Sequence, residues 1–144
     1  MPGKYGSADV TVSYDNAPGA AATPVVLTNF VMELGGAKIE VRHQTSHAFG
    51  DRWEEHTPTG LRGCPAIKVS GLFDTTTGGP HDTLKVTDAD ADPNAGTRTL
   101  TLGFGDGKTF TVETRLVDYE VAAKNAALTA FNATVQPTGA AVWT

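Results

Sequence analysis

The feature that most constrains this chain is a two-residue alternation of apolar and polar side chains. It recurs in short runs and nowhere lengthens into a helical repeat. Val10, Val12 and Tyr14 alternate with Thr11 and Ser13; Ile67 and Val69 alternate with Lys68 and Ser70. Leu100, Leu102 and Phe104 alternate with Thr101 and Gly103, and Phe131, Ala133 and Val135 with Asn132 and Thr134. Successive side chains of a strand point to opposite faces, so each run predicts a strand with one buried face. The run that opens at Phe110 and Val112 keeps its parity through Leu116 and then switches to Val117, Tyr119 and Val121. A one-residue phase change predicts a β-bulge, with Asp118 and Glu120 turned to solvent.

The punctuation between runs completes the outline. Gly105-Asp106-Gly107 predicts a hairpin turn, and Phe30, Met32 and Leu34, followed by Gly35-Gly36 and then Ile39 and Val41, predict another hairpin. Pro80 suits a first helical position, so PHDTLKV predicts the chain's one helix, about two turns long, with His81 exposed at its start. TDADADPNAG is a polar connector, Asn16 to Pro24 a flexible Ala/Pro/Gly stretch, and Pro137-Thr138-Gly139 a break before the tail AAVWT. About seven strands result, the range of an all-β sandwich or small barrel with one short α-helix. At 144 residues the chain suits a single domain spanning 1–144. Between His43 and Pro65 the alternation vanishes. So long a stretch without periodicity, yet holding Phe49, Trp53 and Leu61, is read as a long loop, 43–65, that orders against a neighbour.

Composition narrows the chemistry. The net charge is -5, and the Lys and Arg residues are scattered singly, so no basic stripe can neutralise a run of phosphates. An acidic surface can still let DNA slide past, because like charge keeps the contact weak. Cys64 is the only cysteine, which rules out an intramolecular disulfide and a thiolate metal cluster; it is read as a packed thiol rather than a nucleophile. Met1 to Ala8 has no apolar stretch flanked by basic residues, and no run of 18 apolar residues occurs, so no membrane or secretion route is expected.

The remaining motifs are incomplete. Asp88, Asp90 and Asp92 resemble the start of a calcium loop, but Pro93 and Thr99 stand where Gly and Glu are needed, and a solvated turn is expected. His43, His47, Glu54, Glu55 and His56 lack the fixed spacing of a zinc site and read as a polar interface loop. Gly103, Gly105 and Gly107 lead into a strand rather than a helix, which suits a turn and not a phosphate loop. No nucleophile elbow or organised triad is present, so no catalytic, cofactor or metal residues are assigned. Trp53 and Trp143 stand outside the alternating pattern; each is either an anchor in a protein contact or a lid on its own core.

From TGLRGCPAIKVSGLFD through PHDTLKV to TRTLTLGFGDGKTFTVETRLVDYEVAAKNAALTAFNATVQPTGAAVW, the succession of elements resembles the tail tube (major tail) proteins of long-tailed bacteriophages. The resemblance covers about residues 59 to 143 and lies in order rather than in any single motif. It implies a β-sandwich or barrel with one flanking helix, a fold shared with the tube protein of contractile secretion systems, and no enzymatic role. It further implies a virion protein assembled in the host bacterial cytoplasm, whose hexameric rings stack into a tube through loops and terminal arms. The arms are expected at 1–9 and 137–144 and the stacking loop within 43–65, with His47, Phe49, Asp51, Arg52, Trp53, Glu54 and Glu55 as its contact residues. Implied partners are further copies of the chain, other tail proteins such as the tape measure and terminator, and viral DNA passing through the lumen without tight binding. A tail terminator or neck ring, and a monomeric immunoglobulin-like binding module, are the competing expectations.

Overall fold

A computed structural model describes residues 6–19, 22–50 and 52–144. Residues 1–5 of the expected N-terminal arm, Ala20 and Ala21 of the Ala/Pro/Gly stretch, and Asp51 lie outside the described residues. The strands of the first half are β1 (Thr11–Asp15), β2 (Pro24–Val26), β3 (Val31–Leu34), β4 (Glu40–Ser46), β5 (Glu55–Gly63) and β6 (Ile67–Leu72). After the helices α1 (Pro80–Leu84) and α2 (Asp88–Ala91) come β7 (Arg98–Gly103), β8 (Thr109–Ala122), β9 (Ala130–Pro137) and β10 (Val142–Trp143).

One sheet runs β2-β1-β7-β8-β9-β6-β3, with β10 also on β8, and every pairing in it is antiparallel. Val12 and Tyr14 near one end of this order join Ile67 and Val69 near the other in a single buried cluster with Leu100, Phe110 and Phe131. Strands so far apart in the ladder share a core only if the sheet folds over on itself. The fold-over lies on β8. Its first half pairs with β7 as far as Thr114, and its second half pairs with β9 as far as Ala122. The expected bulge is present, a register shift between Leu116 and Asp118, and Asp118 and Glu120 are exposed. The result is two half-sheets: β2-β1-β7 with the start of β8, and the end of β8 with β9, β6 and β3.

Four expectations need correction. The segment 43–65 is not an irregular loop, since β4 and β5 pair with each other as a separate two-stranded hairpin. Its strands escape a periodicity reading because they have no buried face: along β4 and β5 nearly every position is exposed. The expected hairpin through Gly35-Gly36 does not form. Gly35 stays alongside β6, its N–H donating to the Lys68 carbonyl at 2.7 Å, so the chain passes both glycines without turning back. β3 therefore pairs with β6, and a register shift between Val31 and Glu33 leaves Met32 exposed instead of sharing a face with Leu34. Gly71 permits this close approach, because a Cβ there would collide with the Phe30 carbonyl.

The connector after α1 is not wholly solvated. It forms the short α2, whose Asp90 turns inward while Asp88 and Asp92 stay outside, so the three carboxylates do not converge. Asp90 Oδ2 meets Arg98 Nη2 at 2.8 Å, with both side chains almost fully buried at 2% and 1% exposure. Arg98 Nη1 donates to the Thr83 carbonyl at 2.6 Å, and the guanidinium stands 5.7 Å over the Tyr14 ring. This network ties both helices to the sheet. Finally, His81 is half-buried rather than exposed, its Nδ1 3.3 Å from the Tyr119 hydroxyl and its ring edge against Phe73.

Candidate assembly surfaces

The site residues expected in the long loop come together at the far end of the β4–β5 hairpin. His47, Phe49, Arg52, Trp53 and Glu54 lie in the connection between the strands, and Glu55 opens β5 opposite Ser46; all are exposed. Deeper in the hairpin, His43 and His56 meet edge to face at 5.0 Å, and His56 Nδ1 lies 3.1 Å from the Thr45 hydroxyl. Among the described residues no three His, Cys, Asp or Glu side chains are grouped to hold a metal ion. Cys64 sits half-buried at the hairpin root, and burial pushes its thiol pKa up, away from the reactive thiolate. Gly105, Asp106 and Gly107 all take positive φ in the β7–β8 turn, as a tight hairpin requires.

Trp143 folds back. With β10 laid along β8, its ring packs 4.7 Å from Phe110 and 5.8 Å from Phe104, closing one end of the core. Trp53 has no such place and remains exposed at the hairpin tip.

The half-sheet formed by the end of β8 with β9, β6 and β3 carries two open edges that sequence alone does not reveal. β3 pairs with β6 only, and beyond Val117 β8 pairs with β9 only, among the described residues. Both edges carry apolar side chains beside charged ones. Val117 and Val121 are 56% and 43% exposed along the β8 edge, and beside β3 an open groove of about 460 Å³ is lined by Val10, Val12, Val31, Met32, Leu34 and Phe104. Unpaired edges of this kind invite another strand, although each carries a register shift with an exposed carboxylate beside it, Asp118 on β8 and Glu33 on β3.

The outer face of the same half-sheet is polar. Its register places Asp118 beside Thr134 and Glu120 beside Asn132, with Lys68 beside Thr134 and Glu33 beside Ser70. These residues line a shallow depression of about 440 Å³ in which three carboxylates face a single amine.

This architecture has structural counterparts in particles of one kind. A chain in the tail of an empty gene transfer agent particle, computed with C6 symmetry, superposes with a TM-score of 0.68 at 12% identity over 98% of this chain and 99% of its own. A chain of the anti-feeding prophage baseplate, six-fold symmetrised, gives 0.67 at 7% identity over 100% and 97%. A chain of the SPP1 tail tube gives 0.58 at 12% identity over 92% and 76%. The chain has the tail-tube fold. The β-rich sandwich with a short helix expected from the sequence is the one found, and the likeness extends to a contractile-type assembly. No protein-family model and no curated protein sequence matches the chain. With identities this low the tail-tube fold is conveyed by backbone arrangement, and the residues that serve its surfaces have to be read from this chain.

Proposed function

We propose that this chain, as a single tail-tube domain over 1–144, is a structural, non-enzymatic subunit of a phage-type tail. Copies join side by side into hexameric rings, and rings stack into a hollow conduit for DNA. The observation that carries the reading is the polarity of the two open edges. β3, β6, β9 and β8 alternate in direction, so the edge strands β3 and β8 of the four-stranded half-sheet run opposite ways. A head-to-tail neighbour can therefore lay its β8 edge against this β3 edge and continue the antiparallel ladder around a ring without a break. Val117 and Val121 of one copy then face the apolar groove beside β3 of the next. Six copies contribute a barrel of twenty-four strands, which at about 4.8 Å spacing is roughly 37 Å across the backbone, wide enough for a DNA duplex.

In such a ring the buried face of the half-sheet is covered by β1 and β7, so the outer face lines the lumen. Glu33, Asp118 and Glu120 against Lys68 make that wall repel phosphates, and DNA passes without being gripped. The chain's partners are then its own copies, the tape measure and terminator of the same tail, and the passing DNA. It is assembled in the host cytoplasm and resides in the virion. The Phe49 to Glu55 end of the hairpin, with His47, serves as the stacking contact.

Negative-stain microscopy with light scattering tests this. Rings or tubes with a central hole are expected, and Val117→Lys should leave monomers with unchanged circular dichroism. A uniformly monomeric wild-type protein at high concentration overturns the proposal. Single rings that never stack would favour the terminator or neck reading instead.

A further inference from the structure

Stacking of identical rings needs two different surfaces, one at each end of the subunit, because a head-to-tail contact is heterologous. The β4–β5 hairpin is one of them. Its root lies where β3 ends and β6 begins, beside the β9 terminus: Ile39 and Cys64 at the root share a shallow cleft with Thr138 and Ala141. At the opposite end of the same strands lies the β8–β9 turn, and the last rung there is apolar, Leu72 beside Ala130 and Ala130 beside Ala122. Leu128 in the turn and Met32 on the neighbouring edge strand are each 73% exposed. Met32, Leu72 and Ala130 line a hollow of about 340 Å³ floored by Phe131.

We propose that this rim, formed by Met32, Leu72, Ala130 and Leu128, receives the Phe49–Trp53 hairpin tip of a second copy in the next ring. The inference rests on the ring-forming function proposed above and names the receptor that stacking requires. Several observations converge. Every described residue from Val41 to Arg62 is exposed, and a two-stranded hairpin without a buried face is marginal in water, so the hairpin needs a partner to hold its shape. Its own domain does not supply that partner, because the rim sits at the far end of the half-sheet from the hairpin root. A copy displaced along the strands does supply it: the seven residues of β4 alone reach about 23 Å beyond the root. Charge suits the contact as well: exposed Lys124 lies in the turn that carries Leu128 while Glu54 and Glu55 follow Trp53, and Glu33 lines the hollow while Arg52 precedes Trp53.

The test uses the full chain with Cys64 replaced by Ser. Trp53→Cys and Leu128→Cys are made singly and mixed before assembly, then oxidised. A disulfide-linked dimer is expected in the mixture and not in either variant alone. In parallel, Leu128→Glu is expected to shorten tubes roughly tenfold or more, to isolated rings, with ring diameter unchanged. Lys124→Glu should shorten them less, with length restored when Glu54 and Glu55 become Lys. If Leu128→Glu tubes keep normal length and the cysteine mixture yields no dimer, the rim is not the receptor, although the ring reading stands. If wild-type protein forms no rings at all, the ring reading fails and the rim proposal falls with it.

Discussion

Along β7 every second residue is buried, and along β5 none is. Both are strands with antiparallel partners, yet one belongs to a packed sandwich and the other to a hairpin exposed on both faces. The comparison teaches that backbone pairing and core packing are separable. A ladder can be drawn wherever two extended segments meet, but side-chain burial gives it most of its stability. The packed region is further pinned by the Arg98–Asp90 pair, held out of water, in which both Nη atoms of Arg98 have hydrogen-bond partners and its Nε has none. Two polar contacts of the hairpin, Thr59 Oγ1 to the Arg42 carbonyl at 3.2 Å and Thr45 with His56 Nδ1 at 3.1 Å, lie on the surface. One region draws on a buried core, and the other leaves both of its faces to solvent.

The sharpest way to break this contrast is at Arg98. Arg98→Met should destabilise the fold by about 3–5 kcal/mol in chemical denaturation, because Asp90 and the Thr83 carbonyl are left buried without their cation. Adding Asp90→Leu should recover most of the loss, and a cost below about 1 kcal/mol for the single change would show that the network does not anchor the core. Tyr14 offers a solvent-driven version. Burial pushes its phenol from 10.0 up to about 12, despite its hydrogen bond to Thr114. The folded chain thus holds this proton to higher pH than the unfolded chain, so the contribution is complete below pH 10 and disappears as pH rises to about 12. Stability should fall by on the order of 2–3 kcal/mol across that window, beyond what a Tyr14→Phe variant loses.

Gly71→Ala probes the open sheet edge at the end away from the hairpin root. Its Cβ meets the Phe30 carbonyl, so β3 should be pried from β6 at a cost of about 2 kcal/mol, and hydrogen exchange should quicken in β3 before β9. The smallest effect belongs to the hairpin: Trp53→Ala should change the stability of the isolated subunit by less than about 0.5 kcal/mol. A loss comparable to that at Arg98 would mean that the tip packs on its own domain.

Much of the packed region was legible beforehand because burial leaves a trace in the sequence. The parity switch after Leu116 marks the bulge at which β8 passes from one half-sheet to the other, and Gly105-Asp106-Gly107 marks the turn that opens it. Where no face is buried, no trace exists, which is why β4 and β5 read as a loop. Asp90 escaped for a related reason. A carboxylate among others in a polar run looks solvated, and only the arrival of Arg98 from a strand eight residues later makes it a core residue.

The sequence by itself determined the fold class, the absence of an organised catalytic motif and the acidic balance, since alternation, residue type and charge are local properties. Only the tertiary structure decided which strands are left with open edges, which carboxylates share the polar outer face, and that the hairpin root and the apolar rim lie at opposite ends. Those depend on which strands become neighbours, and a pairing partner dozens of residues away leaves no mark on the segment it pairs with.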